Sequence, residues 1–161
     1  MKSRESGMPD EPMWKSFFDP ETTLRKLGLC AETGDVVDFG CGYGTFTLPA
    51  AKIVRSTVYG IEIDPDMIEA TRAKVVEEHL SNVQLILRDI IATGTGLADN
   101  SIGYAMLFNI LHCELPEKLL RETWRILIPN GLMAIMHWNF DAATPRGPSM
   151  TIRPRPEQCR Q

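Results

Sequence analysis

The chain has 161 residues, 43% of them apolar, enough for one domain with a sizeable core and too few for two full domains. Its net charge of -4 argues against a general nucleic-acid surface, and no apolar run approaches the roughly 20 residues that cross a bilayer. Cys30, Cys41, Cys113 and Cys159 form no Cys-x-x-Cys pair, so neither zinc nor a disulfide framework is indicated and a cytoplasmic setting is expected.

Residues 1–12 are polar and expected to be disordered, ahead of a domain at 13–140 and a proline-rich arm at 141–161. Trp14, Phe17 and Phe18 form an aromatic cluster that either lids a site or staples the following helix to the core. Asp19-Pro20-Glu21 pairs a capping carboxylate with a proline suited to the first helical position, predicting a short helix that stops at Gly28. Val36 to Phe39 reads as a buried strand, and Gly40, Gly42 and Gly44 then allow a tight turn into a helix. A second strand is predicted at 57–63. Asp64-Pro65-Asp66 opens a helix with Ile68, Thr71 and Val75 on one face. Strands follow at 83–87 and 102–108. A helix from about Pro116 carries Leu120, Trp124 and Leu127 at i, i+4 and i+7, and Pro129-Asn130-Gly131 turns into a fifth strand at 132–138. Strand and helix alternate throughout, which predicts an α/β, Rossmann-like doubly wound sheet, mostly parallel, with helices on both faces.

Past Phe140, Pro145, Gly147, Pro148, Pro154 and Pro156 break any regular element, leaving a loop or extended arm, although Pro156-Glu157-Gln158-Cys159 could begin another helix. Arg146, Arg153, Arg155 and Arg160 make the arm basic. They either solvate a tail or meet an acidic substrate.

The glycine spacing carries the chemistry. A dinucleotide fingerprint wants its third glycine at position 45, which here is Thr45. Asp38 at the mouth of the loop would repel a pyrophosphate and attract an ammonium. Glu62 lies about 20 residues beyond the loop at the end of the second strand, where a carboxylate can take ribose hydroxyls. Asp89 follows the third strand, placed either to accept an adenine amino proton beside Ile90 or to make a turn.

Taken together, Val36-Val37-Asp38-Phe39-Gly40-Cys41-Gly42-Tyr43-Gly44-Thr45-Phe46, then Gly60-Ile61-Glu62-Ile63-Asp64-Pro65-Asp66-Met67-Ile68, then Arg88-Asp89-Ile90, resemble class I S-adenosylmethionine-dependent methyltransferases of the type 11 kind. Residues 120–131 resemble the helix and turn before that family's fifth strand, with Asn130 where a glycine is usual. The resemblance covers about residues 30–138. It implies that Asp38 and the backbone of Gly40, Cys41, Gly42 and Tyr43 hold the methionine part of S-adenosylmethionine. Glu62, with Ile63, would hold the ribose, Asp89 and Ile90 the adenine, and Asn109 would face the sulfonium side. S-adenosylhomocysteine would be the product, and the acceptor a small molecule.

Methyl transfer from a sulfonium chiefly requires the nucleophile in line and water excluded. For a hydroxyl or thiol acceptor, His112 just past the fourth strand is the best-placed candidate base, the other reading being a structural loop histidine. His137 and Trp138, at the end of the fifth strand, could wall the acceptor pocket or pack in the core. His79 reads as surface, and Cys113 and Cys41 as packing residues. Family members that methylate amino groups of nucleic acid carry Asn or Asp, Pro-Pro and an aromatic after the fourth strand. Asn109-Ile110-Leu111-His112 stands here instead, so no nucleic-acid acceptor is expected.

The family's sheet usually has seven strands, and the chain supplies five, without the C-terminal hairpin. An exposed apolar fifth strand predicts a truncated domain, a homodimer paired through that edge, or a tail laid over it. A non-catalytic cofactor-binding or partner module and an NAD-dependent oxidoreductase are the competing classes.

Overall fold

The computed structural model describes residues 10–144 and 147–159. The expectations for residues 1–9, Pro145, Arg146 and Arg160 lie outside the described residues. In chain order the elements are α1 (Glu11–Lys15), α2 (Pro20–Lys26), β1 (Val36–Phe39), α3 (Thr47–Ile53), β2 (Val58–Glu62) and α4 (Pro65–Glu77). β3 (Val83–Leu87), α5 (Ile90–Thr93), β4 (Ile102–Phe108), α6 (Pro116–Ile126), β5 (Leu127–Met136) and α7 (Pro156–Cys159) complete them. The strands form one all-parallel sheet ordered β3-β2-β1-β4-β5. The strand order reverses between β1 and β4, and such a switch point opens a crevice at the carboxyl ends of the strands.

The two central strands are buried on both faces, which is why their sequences are apolar at nearly every position. Alternation sorts their side chains. Val36, Tyr104, Met106 and Phe108 join α2 and α3 in one core layer, while Val37, Phe39, Ala105 and Leu107 join α6 in the other. Asp38 therefore shares the face of Val36, the face covered by α3.

Helix entry follows the capping chemistry. The Asp19 and Asp64 carboxylates accept from the backbone N–H groups of Thr22 and Asp66, each just before a proline at the helix start. The same device recurs at Asp10, which caps α1 through Met13 N–H. Residues 10–12, within the stretch expected to be disordered, thus form the start of a capped helix. In α6 the buried face is Leu119, Thr123 and Ile126, one position off the expected stripe, and Trp124 is 83% exposed. Thr123 can sit inside because its hydroxyl donates to the Leu119 carbonyl.

β5 begins earlier than expected, at Leu127 beside Ile102. A bulge with Asn130 at φ +65° interrupts it, and pairing resumes at Leu132 beside Tyr104. Pairing ends at Met136, so His137 and Trp138 lie just beyond the strand rather than in it. β5 is an edge with Leu132 and Met133 exposed. Just past its end, the arm packs on Trp138, whose ring would lie 2.6 Å from a Cβ on Gly147, and Cys159 packs against the core layer that Ile135 joins. The arm is more ordered than a solvated tail: α7 forms, and Arg153 is buried with its guanidinium donating to the Asn139, Asp141 and Pro148 carbonyls.

At the opposite end of the sheet, Glu122 accepts from the Thr95 backbone, the Thr95 hydroxyl and Arg125, which also pairs with Asp99. The Arg125 hydrogen bonds pull the Glu122 carboxyl down to about 2; burial opposes them, and the Thr95 hydrogen bonds add to the lowering. A carboxylate with a lowered folded-state pKa stabilises fully above its unfolded value and loses that contribution as pH falls through the folded one. We expect Glu122→Gln to destabilise the protein at pH 7 by on the order of 1–3 kcal/mol, measured by urea unfolding. The gap to wild type should close between the usual carboxylate range and about pH 2. An unchanging gap across that window would contradict this assignment.

Candidate functional site

The parallel strands put their carboxyl ends on one edge of the sheet, and the glycine loop follows β1 there. Gly40 and Cys41 donate their N–H groups to the Ile61 carbonyl, and Gly42 donates to Glu62 Oε2 at 3.0 Å. From α4, the Thr71 hydroxyl donates to the Gly42 carbonyl, and Lys74 Nζ donates to the Tyr43 carbonyl at 2.9 Å while pairing with Glu11 of α1. Gly44 sits at φ +76°, and a Cβ there would lie 2.3 Å from Leu48 and 2.8 Å from Thr71. A side chain would push the loop off both helices.

Asp38 is 4% exposed at the root of this loop. The Thr47 hydroxyl donates to its Oδ2 at 2.6 Å, and no cation pairs with it among the described residues. Burial raises its carboxyl to about 7; the Thr47 bond opposes this, and the nearby Glu62 adds to it. Glu62 accepts three backbone N–H bonds, from Gly42, Ile63 and Asp64, so it ties the loop to the end of β2. Cys41 is buried, and burial pushes its thiol well above its ordinary value, which leaves it a packing residue. Asp89 caps α5 through Ala92 N–H, and that bond holds its carboxyl below the ordinary value. Its Oδ1 is therefore engaged in the turn role, with Ile90 directly after it and Ile63 half-buried across the β2 end.

Asn109 follows β4 at φ +53°, its N–H donating to the Met136 carbonyl, and its Nδ2 is buried without a partner among the described residues. With Phe17, Phe18, Met136, His137 and Trp138 it lines a cleft of about 290 Å³. Trp14, Phe17, Phe18 and Trp138 meet edge to face or tilted at centroid distances of 5.0–6.4 Å. Phe18 continues through Phe46 to Phe108. Phe17 and Phe18 thus line the cleft, and Phe18 also packs against the core.

His112 is buried, and its ring lies 5.7 Å from that of His137, outside the residues lining the cleft. Burial lowers its pKa. His137 falls to about 4, first through burial and further through the charges of His112 and Arg153, against the Trp138 carbonyl. Arg153 had no sequence signal beyond a basic tail. Thr47 and Lys74 carried no sequence signal, and Thr71 was legible only as one residue on a face of α4.

A family model described as a methyltransferase domain matches residues 37–135. Aklanonic acid methyltransferase DauC of Streptomyces sp. (strain C5) is 43% identical over 83 residues, covering 48% of this chain and 37% of that protein. A probable ribosomal RNA small subunit methyltransferase A of Methanosphaera stadtmanae is 32% identical over 73 residues, covering 42% and 27%. The chain thus spans about a third of the length of these relatives. A crystal structure of a SAM dependent methyltransferase from Aquifex aeolicus superposes with a TM-score of 0.78 and 26% identity, covering 91% of this chain and 77% of that one.

Asp38 has a measurable signature before any ligand is added. An acid whose folded-state pKa is raised binds a proton that the unfolded chain has already lost, so stability falls as pH rises from the ordinary carboxylate range to about 7. Asp38→Asn, which can still accept the Thr47 bond, should flatten that fall and leave the ligand-free protein more stable than wild type at pH 8. Thermal melts from pH 5 to 8 measure it. Parallel pH profiles for the two proteins would show Asp38 already ionised at no cost.

Proposed function

Because this chain belongs to the methyltransferase domain family, matched across residues 37–135, we propose that it moves a methyl group from S-adenosylmethionine to a small-molecule acceptor. The observation that carries this reading is Asp38, a buried carboxylate that no cation pairs among the described residues, at the root of a glycine loop. S-adenosylmethionine supplies a sulfonium-activated methyl and, in its amino acid part, the ammonium that such a carboxylate lacks. The loop also fits this ligand better than a dinucleotide. Its N–H groups at Gly40, Cys41 and Gly42 are already bonded to Ile61 and Glu62 and so do not point at a pyrophosphate.

The remaining roles follow the lay of the strands. Glu62 uses three of the roughly four acceptor positions of a carboxylate on backbone, so ribose would share it with the loop. Ile63 flanks that position, Asp89 and Ile90 the adenine end, and Asn109 the sulfonium side, next to the aromatic cleft. Phe17, Phe18 and Trp138 would exclude water there, the condition an in-line displacement needs.

The small-molecule acceptor is supported by the size and apolar lining of that cleft, by the net charge of -4 and by the likeness to an aklanonic acid methyltransferase. The likeness to a ribosomal RNA methyltransferase is of similar extent, so the family alone does not choose between the two. The sequence Asn109-Ile110-Leu111-His112 after β4 favours the small molecule.

Calorimetry with S-adenosylhomocysteine and NADH tests the reading. Wild-type protein should bind the former and not the latter. Glu62→Gln should weaken the former by about tenfold or more, since a hydrogen bond to a charged group contributes about 1.5–3 kcal/mol. Tighter binding of NADH, or unchanged affinity in the variant, would overturn it.

A further inference from the structure

We infer that α1 is a strap latched to Lys74, and that the latch holds the glycine loop in the shape its ligand needs. Glu11 and Lys74 are then positioning residues for the cofactor, acting through the loop rather than on the ligand. The inference rests on the methyl-transfer reading and adds to it a control of the cofactor site by the N-terminal segment.

The latch is a three-way contact. Lys74 Nζ donates to the Tyr43 carbonyl at 2.9 Å, pairs with Glu11, and stands 5.6 Å from the centroid of the Tyr43 ring. An ammonium has three N–H donors, so it serves the carbonyl and the carboxylate together. The Lys74 and Glu11 side chains are 20% and 24% exposed, against 52–71% in the Arg25–Glu21 and Arg72–Glu69 pairs, so water and salt screen the latch less. Its two residues are 63 positions apart, so it joins separate segments rather than turns of one helix.

What Lys74 fixes is one peptide plane. The Tyr43 carbonyl and the Gly44 N–H belong to the same planar unit. Lys74 holds the carbonyl, and the Gly44 N–H donates to the Cys41 carbonyl at 2.9 Å. Gly44, at φ +76°, has no side chain to resist rotation, so without Lys74 this plane is held at one end only. The residues before it are anchored elsewhere, Gly40 and Cys41 to Ile61, and Gly42 to Glu62 and Thr71. The lysine stem is flexible, and Glu11 draws its ammonium to one place. Removing the Glu11 carboxylate frees the lysine head and, through it, the Tyr43–Gly44 peptide.

The other attachment of the strap lies past β5. Three residues after Glu11, Trp14 meets the Trp138 ring at 6.4 Å, and Phe17 and Phe18 go on to line the cleft with Asn109. A five-residue helix has little stability of its own, so contacts outside it set its place. Segment 11–18 thus runs from the loop after β1 to the residues that follow β4 and β5. Seating of α1 and order at Tyr43–Gly44 favour each other through Lys74. By linkage, a ligand that binds the ordered loop more tightly stabilises the seated strap by the same factor.

The test uses the full chain, with S-adenosylhomocysteine as the probe. Without ligand, Glu11→Gln should speed amide hydrogen exchange at Gly44 by about fivefold or more, with exchange at Val37 in the core of β1 unchanged. In calorimetry, Glu11→Gln should weaken S-adenosylhomocysteine by about fivefold and Lys74→Met by at least as much. Adding Glu11→Gln to Lys74→Met should cost nothing further, because the carboxylate acts through the lysine. In the reverse direction, saturating S-adenosylhomocysteine should slow exchange at the Trp14 N–H, which is bonded to the Asp10 carbonyl, in wild type and not in Lys74→Met. Unchanged Gly44 exchange in Glu11→Gln, additive losses of affinity in the double variant, or no slowing at Trp14 would overturn the inference. If wild type does not bind S-adenosylhomocysteine, the methyl-transfer reading and the cofactor role fall together, whatever Gly44 exchange shows of the latch. If it binds and the variants behave as wild type, only the latch falls.

Discussion

A single carboxylate organises this molecule. Strand alternation turns Asp38 toward the face that α3 covers, where burial holds its pKa up at about 7 and Thr47 gives it one hydrogen bond. Any apolar residue at this position would suit the core better. An acid in the interior without a cation is a standing cost that a cationic ligand relieves.

The loop is held from β2 and from α4. Glu62 at the end of β2 ties down its amide at Gly42, while Thr71 and Lys74 of α4 hold its carbonyls. Lys74 continues to Glu11, so α1 is linked to the loop, and α1 carries Trp14 into the aromatic cluster over the cleft. Closure over the cleft and order in the glycine loop therefore share one lysine. From the other chain end, Arg153 gathers the carbonyls of residues 139, 141 and 148 and folds the arm against Trp138.

Much of this was legible in the sequence because it rests on local chemistry. β1, β3 and β4 run as their apolar runs predict, and Asp19, Pro20, Asp64 and Pro65 open helices for reasons contained in four residues. Glycines at 40, 42 and 44 all take positive φ. What stayed hidden depends on contacts between distant segments. Trp124 continues a helical stripe by spacing, yet the sheet meets α6 one position away, on Leu119, Thr123 and Ile126. Arg153 reads as one more basic tail residue until the carbonyls that surround it are brought together. The pairing of His112 with His137 joins two loops 25 residues apart, and no local pattern announces it.

The central claim is that Asp38 waits for a cation, and the pH dependence of ligand affinity tests it most directly. S-adenosylhomocysteine carries the ammonium; 5′-methylthioadenosine keeps the nucleoside and sulfur and lacks the amino acid end. Calorimetry from pH 5.5 to 8 should show affinity for S-adenosylhomocysteine rising until Asp38 is ionised, near pH 7, then levelling, with affinity for 5′-methylthioadenosine flat. Equal pH dependence for the two ligands, or none for either, would contradict the account.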